Sequence, residues 1–106
     1  MNTDNSPDDD SKLPDLNEAI LDAATIEQLF RDLEACTQIT EIIPKFAERR
    51  MVTEQTLSLE QARQLLLGGQ ARGIQIRYRY DGADWWDTLM QTPQGIRLVR
   101  IRHEFQ

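Results

Sequence analysis

Few side chains in this chain are equipped for covalent or acid–base chemistry, and their spacing limits what they can do together. The 106 residues include one histidine, His103, and one cysteine, Cys36. A single Cys excludes an internal disulfide framework and any Cys₄ or Cys₂His₂ zinc site within one chain. Cys36 has no basic neighbour on the helix its surroundings predict, which suits a small buried apolar group better than a nucleophile. The Asp8-Asp9-Asp10 run lacks the turn glycine and distal Glu of a calcium loop. No Gly-rich phosphate loop, HExxH or GxSxG is present. The reading is therefore of a non-enzyme with no cofactor and no metal.

Recognition chemistry is better represented. Arg77, Arg79, Arg100 and Arg102 lie in two segments that read as strands, near Trp86 and Met90. Arg stacks on aromatic faces and grips carboxylate or phosphate through two parallel hydrogen bonds. Trp and Arg are also enriched at binding hot spots. These six residues form the candidate binding surface. Asp87 is the residue out of place, since strand pairing directs it to the core, where a charge needs a partner.

The elements that must position these groups follow from periodicity. Ile74-Gln75-Ile76-Arg77-Tyr78-Arg79-Tyr80 alternates as a half-buried strand. Asp81-Gly82 is a preferred two-residue type I′ turn. Ala83 to Gln91 returns as a second strand, Thr92-Pro93-Gln94-Gly95 turns again, and Ile96 to His103 forms a third. A two-residue first loop sets Arg77 opposite Trp86 and Tyr78 opposite Trp85. Reading Pro93-Gln94-Gly95 as a three-residue loop sets Trp86 opposite Arg102 and Leu89 opposite Val99. The core face then carries Ile74, Ile76, Tyr78, Tyr80, Trp85, Leu89, Val99 and Ile101, and all four arginines share the opposite face with Trp86.

Upstream, Thr25 and Gln28 read as a capping box for a helix over about 26–36, with Ile26, Leu29, Phe30 and Leu33 on its apolar stripe. Ser58 and Gln61 form a second box, opening a helix that Gly68-Gly69 ends. Residues 38–43 read as a strand that lies at an edge or stops at Pro44, and 47–57 as a polar connection. Residues 15–24 read as a short amphipathic helix or linker, on the helical spacing of Leu16, Ala19, Ile20 and Ala23. The expected fold class is α+β: one or two N-terminal helices packed on a three-stranded, or four-stranded, antiparallel meander.

Charge divides the chain. Of the net charge of −6, residues 1–24 carry −6, residues 25–69 carry −2 and residues 70–106 carry +2. Residues 1–14, polar and acidic, read as a disordered tail ahead of a single domain over 25–106. No apolar run approaches the roughly 20 residues needed to span a bilayer, and the N-terminus does not resemble a targeting peptide. A cytoplasmic protein with no membrane contact is expected. The favoured function is a small binding or accessory protein that docks on a larger protein through the Arg/Trp face or a sheet edge. The alternative is a single-stranded nucleic-acid module using the same face, with the acidic tail competing for it. A homodimer through a sheet edge is a further option.

Overall fold

The computed structural model describes residues 15–46 and 57–103. The expectations for residues 1–14, for most of the 47–57 connection and for the last three residues lie outside that range. The described residues form β1 (Asp15–Leu21), α1 (Ala23–Cys36), β2 (Gln38–Lys45), α2 (Leu59–Leu67), β3 (Gly73–Tyr80), β4 (Ala83–Thr92) and β5 (Gly95–His103). All five strands join one antiparallel sheet in the order β1-β5-β4-β3-β2. The class is α+β, with two more strands than the meander alone.

Local signals explain most of these elements. Ser58 accepts the Gln61 backbone N–H at 3.1 Å and its own N–H donates to Oε1 of Gln61 at 2.9 Å, so the expected capping box opens α2. Gly69, at φ +79°, supplies the left-handed residue just after that helix. Asp81 (φ +53°) and Gly82 (φ +80°) make the two-residue turn between β3 and β4, and Tyr80 faces Ala83. α1 begins three residues earlier than expected. Its cap is Asp22, whose Oδ1 accepts the Thr25 N–H at 2.8 Å, so Thr25 sits inside the helix. The contact with Thr25 holds the Asp22 carboxyl below its usual range.

The segment read as a helix or linker over 15–24 is instead strand β1 followed by the start of α1. Its apolar residues satisfy a helical spacing, but pairing with β5 from Asp15↔Arg102 to Leu21↔Ile96 overrides that local preference. β1 and β2 thus lie at opposite edges, and α1 carries the chain between them. Its 14 residues span about 21 Å at the helical rise, close to the roughly 19 Å width of five strands. β2 runs through Pro44 as an edge strand, where a missing N–H is tolerated. Its ladder is broken by a bulge between Ile39 and Glu41.

Both helices pack on one face of the sheet. Ile26, Phe30 and Leu33 of α1 and Ala62 and Leu66 of α2 meet Ile74, Ile76 and Tyr78 of β3, Leu89 of β4, and Ile96 and Leu98 of β5. Fully burying each such large side chain contributes roughly 1.5–3 kcal/mol. The other sheet face has no helix on it among the described residues.

Candidate functional site

The register of β5 decides which side chains share the helix-free face. β4 and β5 pair with Thr92 opposite Gly95, so the loop is the two residues Pro93 and Gln94. The Thr92 hydroxyl closes it, donating to the Gly95 carbonyl at 2.7 Å and accepting the Gln94 N–H at 3.2 Å. The expected three-residue loop is therefore one residue too long. Because strand side chains alternate, that single step moves every β5 side chain to the other face.

Two corrections follow. Arg100 and Arg102 lie on the helix side, opposite Asp87 and Trp85 respectively, and not beside Trp86. Val99 and Ile101, expected in the core, lie on the helix-free face together with Arg97 and His103, while Leu98 joins the core. Arg77, Arg79, Trp86 and Met90 stay on the helix-free face, because the β3–β4 register is as expected, with Arg77 opposite Trp86 and Arg79 opposite Asp84.

The helix-free face has an apolar middle and a charged margin. Trp86, Met90, Val99, Ile101 and Ile43 are all half-buried there. The Arg77 guanidinium lies over the Trp86 ring at 4.0 Å, and the His103 ring packs against Trp86 with centroids 4.3 Å apart. Arg77 also donates to Gln75 at 2.9 Å and to Glu41 at 3.2 Å. Arg79 pairs with Asp84 at 2.8 Å, and Arg97 pairs with Glu18. Each arginine of this face is thus matched by a carboxylate. Lys45, exposed on the edge strand, is the remaining cation of the face among the described residues. Gly73 has a packing role here: a Cβ at this position would overlap the Met90 sulfur and come within 2.7 Å of the Leu89 carbonyl.

On the helix side, Asp87 is completely buried. Arg100 donates Nε to its Oδ1 at 2.9 Å and Nη2 to its Oδ2 at 2.8 Å, while the Tyr78 hydroxyl donates to Oδ1 at 3.0 Å. Burial pushes the Tyr78 phenol up, and the adjacent Asp87 charge pushes it further. The Asp87 contact raises Arg100 against an opposing effect of burial. The partner that Asp87 demands is thus Arg100. That demand was visible in sequence: of the two- and three-residue β4–β5 loops, the first sets Arg100 across from Asp87 and the second sets Ile101 there.

Asp87, His103 and Cys36, the residues a catalytic site would have to draw on, are not brought together. Asp87 lies under Arg100 on the helix side, His103 lies against Trp86 on the other face, and Cys36 is exposed at the end of α1. Among the described residues, no group of three or more His, Cys, Asp or Glu could hold a metal ion. No helix among them is long and apolar enough to cross a membrane. In comparison with known proteins, no family model matches the chain, and neither a curated protein nor a solved structure does.

Proposed function

We propose that this is a non-enzymatic binding or accessory protein that docks on a larger protein through the helix-free face of its sheet. The observation that carries the reading is the composition of that face: Trp86, Met90, Val99 and Ile101 at its middle, with paired charges around them. An apolar, aromatic-containing centre ringed by polar groups is the usual anatomy of a protein–protein interface. The partner would present a complementary apolar patch with hydrogen-bonding groups at its margin. Strand addition at the β2 edge is disfavoured by Pro44 and by the bulge at Thr40.

The same geometry weighs against a nucleic-acid platform. Such platforms combine open aromatic rings with cations that track the phosphate backbone. Here the Trp86 ring is engaged by Arg77 and His103, and Arg77, Arg79 and Arg97 each face a carboxylate. The test is a binding comparison between a purified host protein partner and a single-stranded oligonucleotide, using wild type, Trp86→Ala and Met90→Lys. The reading expects partner affinity to fall about tenfold or more in each variant, with weak dependence on salt. Oligonucleotide binding that collapses with salt, or a partner indifferent to both substitutions, would contradict it.

A further inference from the structure

The opposite face of the molecule holds a second recognition feature. α1 does not seal the sheet completely, and a cleft of about 560 Å³ opens between the helix and strands β1, β3 and β5. That volume falls within the roughly 300–1,000 Å³ range of small-molecule sites. Leu21, Leu29, Leu33 and Leu98 supply its apolar walls, and Arg100 lines it.

Arg100 makes this cleft more than an apolar groove. Its guanidinium has five N–H donors. Two of them hold Asp87 side-on. The remaining three, on Nη1 and Nη2, take no part in the Asp87 contact. Asp87 is fully buried, whereas the Arg100 side chain is 30% exposed, and of the two it is Arg100 that lines the cleft. The side-on contact holds the guanidinium in place, and the Tyr78 hydroxyl bond in turn holds Asp87.

Charge narrows the ligand. Asp87 cancels the charge of Arg100, and Asp32 of α1 adds a carboxylate to the lining. The cleft therefore offers directed donors without net positive charge. We propose that it binds a small neutral molecule with an apolar body and a carbonyl acceptor, as in a primary amide or a ketone. The carbonyl oxygen would accept from the free edge of Arg100, and the body would lie along Leu29, Leu33 and Leu98. This site is on the other side of the sheet from the docking face and does not depend on it.

The test uses the full chain and three probes, octanamide, octanoate and octane, followed by the NMR signals of the leucine methyls and the Arg100 Nε–H. Octanamide is expected to give saturable shifts at Leu29, Leu33, Leu98 and Arg100. Octanoate and octane are expected to bind at least about tenfold more weakly, since one meets Asp32 and the other lacks the acceptor. Leu29→Trp, which fills the cleft while leaving Asp87 and Arg100 in place, should abolish the shifts. Alkylating Cys36, the one thiol of the chain and part of the lining, plugs the cleft without any substitution and should do the same. Tighter binding of octanoate, octanamide shifts that survive either blockade, or no saturable shift at all would overturn the proposal. So would shifts at Leu29 and Leu98 that grow with protein concentration alone, because the occupant would then be a second copy of the chain.

Discussion

Truncating Arg100 to alanine separates the two possible faces for this residue by a wide margin. In the structure, Asp87 is completely buried and accepts three hydrogen bonds, two of them from Arg100. Arg100→Ala leaves that carboxylate with Tyr78 as its one donor and with no countercharge. Removing one partner of a buried ion pair costs about 3–5 kcal/mol, a large share of the roughly 5–15 kcal/mol total of a small domain. At a urea slope of about 2 kcal/mol per molar, the unfolding midpoint should fall by about 2 M. Replacing the pair together, Asp87→Leu with Arg100→Met, removes the stranded charge and should recover most of the loss, since apolar replacements of buried pairs are often neutral or stabilising. The assay is equilibrium urea unfolding of wild type, both single variants and the double variant. On an open sheet face, Arg100→Ala would cost no more than about 0.5 kcal/mol. That result, or a double variant as unstable as Arg100→Ala, would refute the register.

Other outcomes follow from the same contacts. Trp85→Ala should cost about 3 kcal/mol, because Trp85 packs against the core and donates to the Tyr80 carbonyl. Trp86→Ala should cost about 1 kcal/mol, chiefly its contact with Arg77; thermal melts in the reverse order would contradict the faces. Tyr78 holds its proton more tightly folded than unfolded, so its contribution is complete below the unfolded phenol value of about 10 and is lost as pH rises above it. Tyr78→Phe should remove that alkaline slope in pH-dependent unfolding, while lowering neutral stability by about 1–3 kcal/mol through loss of a donor to Asp87. Asp22 is shifted the opposite way: its contribution is present above the ordinary carboxylate value of about 4 and is lost as pH falls. Asp22→Asn, still a good cap, should retain the helical circular dichroism at neutral pH and flatten that acid limb. Gly73→Ala should destabilise by about 1–3 kcal/mol in the same urea assay, because a methyl there presses on the Leu89 carbonyl and the Met90 sulfur.

What the sequence revealed depended on how local the deciding interaction was. The alternation of β3, the Asp81-Gly82 turn and the Ser58–Gln61 box are each set within a few residues, and each is found as read. β1 was hidden because Leu16, Ala19 and Ile20 fit a helix period, and only pairing with β5, distant in the chain, makes the segment a strand. The candidate surface turned on one residue of loop length. Thr92-Pro93-Gln94-Gly95 is compatible with two loops, and turn chemistry alone does not choose between them. Four of the six candidate residues keep the expected face, and Arg100 and Arg102 exchange places with Val99 and Ile101. The deciding information lay in Asp87, a charge directed inward that had to meet a cation. The exchange also changes the composition of the surface, replacing two arginines near Trp86 with two aliphatic side chains.

Site-specific photo-crosslinking tests that surface most directly. A photoreactive phenylalanine analogue at Val99 reports from the middle of the helix-free face, and the same group at Arg31, exposed on α1, reports from the opposite side. The proposed function predicts one reproducible protein adduct from the Val99 position in host extract, absent from the Arg31 position and lost when Trp86→Ala is added. Adducts shared by both positions, an adduct that survives Trp86→Ala, or crosslinking to nucleic acid from Val99 would contradict it.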